Sequence, residues 1–246
     1  MTDILVIPDT HCKPGVGTDR FKALGALVAA RQPSHIVHLG DHWDMPSLCS
    51  YDEGTKDWYQ RSYNDDVNAG TIALEKFEYE LQRRAPKYKP KKYLIGGNHD
   101  QGRIARLLDK EPRWEETVSI DTLKEKAKGF GWQWIDFGNK LEIADTYFAH
   151  YFVSGVMGRA ISGENPAANM LKKQYASCVA GHLHIFDYAE RTHADGHKLI
   201  GLTAGCFLEG GQVEKYAGEA QLLWRNGVTM LYDVNRGEFD HEFISL

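Results

Sequence analysis

The chain has 246 residues, with 42% hydrophobic and 26% charged side chains, proportions of an ordinary folded protein that exclude both wholesale disorder and a membrane-embedded chain. Its 34 acidic and 29 basic side chains leave a net charge of -5, which argues against the broad basic face that non-specific duplex binding needs. The four cysteines, Cys12, Cys49, Cys178 and Cys206, form no CxxC pair, so neither a zinc knot nor a disulfide framework is expected.

Ile4 to Pro8 reads as a short buried strand that starts too early to leave room for a signal peptide, and no stretch reaches the length of a membrane span. A cytoplasmic address and no membrane contact are therefore expected. Phe21, Leu24, Leu27 and Val28 recur at helical spacing up to Pro33, Ile36 to Leu39 gives a second strand, and Val67, Leu74, Phe77 and Leu81 mark a second helix. With a third strand at Tyr93 to Ile95, the order is βαβαβ, which predicts parallel strands with ligands gathered at their carboxyl ends. The basic run from Arg83 to Lys92 precedes that third strand, so it is expected on the opposite edge from any such site, as a solvated helix end.

Helices are predicted at Arg103 to Leu108 and Thr122 to Lys128, then β segments at Trp132 to Ile135, Leu141 to Ile143 and Tyr147 to Phe148. Asn165 and Pro166 look like the cap and first turn of a helix ending near Gln174. Strands resume at Cys178, and Asp195-Gly196 and Asn226-Gly227 each read as a hairpin turn. No repeat or long linker divides the chain, so we expect one domain over 1–246, built as two packed sheets with helices outside and a helical, aromatic-rich insertion at about 45–90.

Five motifs fall at or just past predicted strand ends: DTH (Asp9 to His11), GDHWD (Gly40 to Asp44), GNHD (Gly97 to Asp100), His150 after TYFA, and GHLH (Gly181 to His184). Each alone has a plain explanation, such as an Asx turn or a helix cap. Together they bring carboxylate, imidazole and amide donors to one edge without thiolates, a set suited to manganese, iron, zinc or similar ions acting as Lewis acids. The two side chains of DTH converge if the backbone curls at the strand end, and the spacing of His182 and His184 puts both on one face of an extended segment. A carboxylate such as Asp41 can bridge two ions.

The run DxH, GDxxD, GNHD, His and GHxH, in this order from Asp9 to His184, resembles the calcineurin-like metallophosphoesterase superfamily. The resemblance implies an α/β fold, a four-layer αββα sandwich of two mixed sheets flanked by helices, with a dinuclear metal site at the strand carboxyl ends. It implies one ion on Asp9, His11 and His184, another on Asn98, His150 and His182, and Asp41 between them. The ions are two divalent metals, manganese first, with iron, zinc, nickel or cobalt as alternatives. By the same resemblance His99 stands beside the leaving group and Asp44 orients it, while a hydroxide shared by the ions attacks phosphorus.

Many phosphomonoesterase branches of that superfamily carry arginine where this chain has Met45, and a guanidinium there can grip the extra oxygen of a monoester. The leading expectation is a phosphodiesterase on a nucleotide or single-stranded nucleic acid. The alternatives are a phosphomonoesterase acting on phosphoprotein or a small molecule, and a metal-binding scaffold without catalysis. Arg103, Arg106 or Arg159 can supply a cation from elsewhere, Arg159 best placed of the three. Trp58 and Tyr59 are the aromatic candidates for stacking on a base.

Overall fold

The computed structural model describes residues 2–56, 58–210, 212, 214 and 217–246. In chain order the elements are β1 (Ile4–Ile7), α1 (Arg20–Arg31), β2 (His35–His38), α2 (Tyr63–Arg84), β3 (Lys91–Ile95), α3 (Gln101–Lys110), α4 (Ile120–Gly129) and β4 (Trp132–Ile135). They continue as β5 (Leu141–Ile143), β6 (Thr146–Ala149), β7 (Val153–Ser154), β8 (Arg159–Ala160), α5 (Pro166–Gln174), β9 (Ser177–Ala180), β10 (Phe186–Thr192), β11 (Lys198–Ala204), β12 (Val228–Asn235) and β13 (Glu238–Ile244).

One sheet runs β13-β12-β1-β2-β3-β4 and the other β10-β11-β9-β6-β5. The step from β1 through β2 and β3 to β4 is parallel throughout, as the βαβαβ order predicts, while β12 and β13 add antiparallel. The second sheet mixes parallel pairs (β6 with β9, β9 with β11) with antiparallel edges.

Side chains alternate across a strand, so β1 divides its residues between two cores. Ile4 and Val6 join Val37, Leu39 and Ile95 against Phe148, Val179, Ile200 and Leu202 of the second sheet. Leu5 and Ile7 point the other way, onto Phe21, Leu24 and Val28 of α1, Leu74 and Phe77 of α2, and Leu123 of α4. On the outer face of the second sheet Ala149, Cys178 and Ala180 meet Ala167 and Met170 of α5. The architecture is therefore helix, sheet, sheet, helix. Strands buried on both faces are near-continuous apolar runs, which is why ILVI carries no polar alternation.

Asn226-Gly227 is not a hairpin turn. Asn226 clamps Leu208 through both side-chain atoms (2.7 and 3.0 Å), and Gly227 donates to Cys206 O at 2.8 Å, so the pair leads into β12. The turn between β12 and β13 is Arg236-Gly237, with φ of 52° and 82°, a left-handed pair that an arginine does not advertise. Asp195-Gly196 does lie in the turn between β10 and β11, with His193 N donating to His197 O. At α5, Pro166 opens the helix, but Asn165 makes no side-chain cap bond; Asp187 accepts the Ala167 N–H instead, at 3.0 Å. In the basic run, Arg83 and Arg84 are ion-paired to Glu80, and Lys92 braces Glu78 and Phe130 O.

Candidate metal centre

The carboxyl ends of β1, β2, β3, β6 and β9 deliver Asp9, Asp41, Asn98, His150 and His182 in turn. An isolated bridge between Asp9 and Cys206 ties the first sheet's exit to the chain leaving β11. Around Asp9, His184 Nε2 is 3.2 Å from Oδ2 and 3.2 Å from His11 Nε2. Around Asp41, Oδ2 lies 3.4 Å from His150 Nε2 and 3.8 Å from His11 Nε2. Asn98 Oδ1 is 2.8 Å from His150 Nε2, and the His182 and His150 ring centres are 5.1 Å apart. Asp9, His11 and His184 form one convergent donor group and Asp41, His150 and His182 another. Two groups of buried or half-buried donors side by side are what a pair of divalent cations requires.

The surroundings aim these donors inward. His150 Nδ1–H donates to Leu39 O (3.0 Å) and His11 Nδ1–H to Asp44 Oδ1 (3.0 Å), which leaves both Nε2 lone pairs facing the acids. His184 Nδ1 is buried with no hydrogen-bond partner among the described residues. Burial pulls His11 and His182 down to about 4, with His99 and His150 respectively adding to it, so both rings are neutral at pH 7, the state that binds metal. Burial and the charge of Asp9 push Asp41 well above the carboxylate range. Burial also acts to raise Asp9, yet the imidazoles of His150, His184 and His11 hold it well below that range. Two buried acids with opposed shifts mark a place that a cation would relieve.

Strand-end curls make the convergence possible. His11, Asp41, His182 and His184 all have left-handed backbone, with φ of 42°, 49°, 68° and 61°. Such strain at several positions of one cluster is characteristic of functional sites. It also corrects the extended reading of GHLH: the two histidines do not share a face, and His182 turns toward His150 while His184 turns toward Asp9. Two motif glycines are needed for close approach. A Cβ on Gly97 would stand 2.0 Å from Asp41 Oδ1, and one on Gly181 would stand 2.3 Å from Asp9 Oδ1.

Asp44 Oδ1 also receives His99 Nδ1–H at 2.6 Å, so one carboxylate orients both His11 and His99. Its other oxygen meets Lys13 Nζ at 3.2 Å, and Lys13 is held in turn by Glu214 at 2.5 Å. Lys13 and Glu214 belong to no motif, and sequence reasoning misses them. Asp100, at the end of GNHD, is the helix cap that its motif suggests, and by accepting the N–H groups of Gly97, Gln101 and His42 it also locks the GNHD turn to the GDHWD loop. Trp224 packs edge-on to His184, ring centres 4.3 Å apart.

The proposed substrate residues are placed differently from one another. Met45 is fully buried in the core under α2, so its side chain does not face a substrate. Arg159 is exposed on the β7–β8 hairpin, whereas Arg103 reaches the site, donating to Asp44 O and Met45 O and passing 3.7 Å from Asp44 Oδ1. Trp58 and Tyr59 pack edge-to-face on each other at 5.3 Å, with Tyr59 73% exposed. A cleft of about 870 Å³ opens from Asp44 and His99 along Tyr51, Gln60 and Arg61, and neither Trp58 nor Tyr59 lines it.

Comparison with curated proteins found no match. The family model described as calcineurin-like phosphoesterase matches residues 2–198, a span that contains all seven converging donors together with His99 and Asp44. This chain therefore belongs to the calcineurin-like phosphoesterase family.

Proposed function

We propose that the chain is a dinuclear-metal phosphodiesterase in which Asp9, His11 and His184 hold one cation, Asn98, His150 and His182 the other, and Asp41 stands between them. The observation that carries this is the Asp44 carboxylate, which joins a donor of the metal cluster, His11, to the histidine at the cleft floor, His99. When bound, two divalent cations, manganese in our reading, activate water and neutralise phosphoryl oxygens. His99 hands a proton from Nε2 to the departing oxygen while Nδ1–H stays on Asp44. Asp44 is held ionised, well below the usual range, because the hydrogen bonds from His11 and His99 outweigh the opposing effect of burial. The bond from His99 therefore ends on a carboxylate that opposes, without overcoming, the downward pull of burial on this imidazole.

Preference for diesters is supported by how the nearby cations are used. Arg103 directs Nη1 to two carbonyls and lies 3.7 Å from Asp44, and Lys13 lies between Asp44 and Glu214, so both cations are already turned toward protein acceptors rather than toward the third oxygen of a monoester. The cleft beside His99 has room for a second ester arm, and Tyr51 rather than Trp58 or Tyr59 is the aromatic at its wall. A phosphomonoesterase is favoured instead by the mere presence of the Arg103 guanidinium next to Asp44. Catalytic efficiencies for bis-nitrophenyl and mono-nitrophenyl phosphate decide between the two. The diester should win, and a monoester preference of about tenfold, roughly 1.4 kcal/mol in the barrier, would reverse the reading.

One domain over 1–246 is supported by the chain's two ends sharing a sheet, β1 beside β12. No helix among the described residues is long and apolar enough to cross a membrane. A cytoplasmic location is our inference, supported by four buried cysteines that are all unpaired.

A further inference from the structure

The cleft that opens from His99 has a wall whose charge is set by named pairs. Five carboxylates and three cations line it. Each cation already faces a carboxylate: Lys13 meets Asp44 and Glu214, Arg61 meets Asp52 at 2.6 Å, and Arg103 lies 3.7 Å from Asp44 while donating to the carbonyls of residues 44 and 45. Two carboxylates on the first turn of α2, Asp65 and Asp66, form no ion pair among the described residues. Asp65 is exposed toward solvent. Asp66 is fully buried, its Oδ2 accepting the Ser47 N–H at 2.8 Å and its Oδ1 without a hydrogen-bond partner among the described residues. The rest of the wall offers neutral polar groups, among them Tyr51, Thr55, Gln60 and Ser62.

An arm carrying a phosphate or carboxylate would enter this cleft with every lining cation already beside a carboxylate and would face surplus negative charge. Like charges brought together in a partly desolvated cleft repel one another more strongly than in water. Hydroxyl groups, by contrast, find an acceptor in the exposed Asp65 and partners in the amide and hydroxyl side chains, while the buried Asp66 adds negative charge behind the wall. We propose that the ester arm leaving toward His99 is a hydroxyl-bearing alcohol with no further negative charge, of the sugar or nucleoside class, and that Asp65 and Asp66 set this choice. The proposal rests on the phosphoesterase reading with His99 at the leaving group. It narrows that reading, because a chain of phosphates is excluded from this side of the reacting phosphorus.

The test uses the manganese-loaded full chain and two methyl aryl phosphodiesters whose phenol carries either a para hydroxymethyl or a para carboxymethyl group. The linking carbon keeps the two phenols similar as leaving groups. The neutral arm should be favoured by about tenfold in kcat/KM, and added salt should shrink the difference. Asp65→Asn with Asp66→Asn should bring the two esters close to parity. Since Asp66→Asn can disturb the start of α2, Asp65→Asn alone is the second variant, and it should narrow the gap in part. Equal or better turnover of the anionic arm, or discrimination unchanged in both variants, would overturn the proposal. Absence of metal-stimulated hydrolysis of either ester would instead overturn the phosphoesterase reading beneath it.

Discussion

Asp44 accepts from two imidazoles on one oxygen and from an ammonium on the other, so its loss should be felt in two places. His99→Ala removes only the proton donor. It should lower kcat on an alkyl-leaving diester by about 10² to 10⁴, leave a nitrophenyl diester much less affected, and keep the metal content of the parent. Asp44→Asn should reduce turnover on both substrates and also weaken metal binding by about 10- to 100-fold, because it releases His11 from its oriented tautomer. Parallel kinetics and metal analysis of the two variants check this, and identical profiles would contradict the division of roles. At this scale the sequence is informative wherever a donor sits in a short motif at a strand end. It is silent on Lys13 and Glu214, which lie 201 positions apart and meet only through the fold. It is also misleading at Met45, where position in a motif suggests a substrate contact and the left-handed turn, with φ 50°, carries the side chain into the core.

The strand-end loops work because particular glycines leave no Cβ between a backbone and a carboxylate. Gly97→Ala and Gly181→Ala should each destabilise the protein by about 1–3 kcal/mol and impair metal retention, since the displaced groups are Asp41 and Asp9. Gly129→Ala at the end of α4 meets nothing within 4 Å and should be neutral or stabilising by up to about 1 kcal/mol. Chemical denaturation of the three variants measures the contrast, and an equal response would remove the close-approach argument. Periodicity located the elements well: the buried face of α2, from Val67 through Leu74 and Phe77 to Leu81, is the one its spacing announces. It failed where conformation is fixed by contacts distant in sequence. Asn226-Gly227 has the composition of a turn but is held open by Leu208 and Cys206, and the β7–β8 hairpin has two-residue strands with no alternation to read.

Outside both donor groups the molecule buries a further polar side chain. His42 donates Nε2–H to Gly70 O at 3.0 Å and accepts from Thr10 Oγ1 at 3.0 Å, which suits a neutral ring. Burial pulls it from 6.5 to about 4, against the Gly70 carbonyl, with Arg20 adding to the depression. Between those values the unfolded chain takes up a proton that the folded chain refuses, so stability is full above pH 6.5 and declines as pH falls toward 4. One such group contributes a slope of about 1.4 kcal/mol per pH unit. Urea titrations of metal-free protein at several pH values should therefore show a shallower pH dependence for His42→Gln than for the parent. An unchanged slope would mean that this histidine is not a source of acid lability. The layered architecture was legible from the order of apolar runs, because parallel strands buried on both faces leave unbroken hydrophobic segments. The mixed second sheet was not, since β9 pairs in parallel with both β6 and β11 across long connections that no local pattern records.

The most direct test of the whole account is the metal content of purified protein after loading with manganese and removal of excess ion, compared across the parent, Asp41→Asn and Asn98→Ala. The donor groups around Asp9 and around His150 approach a common acid, Asp41, whose Oδ2 lies within 3.8 Å of His11 Nε2 and 3.4 Å of His150 Nε2. The parent should therefore carry two ions per chain, Asn98→Ala one, and Asp41→Asn fewer than one. A parent that binds at most one ion, or an Asp41→Asn variant that keeps the parent's content, would contradict it.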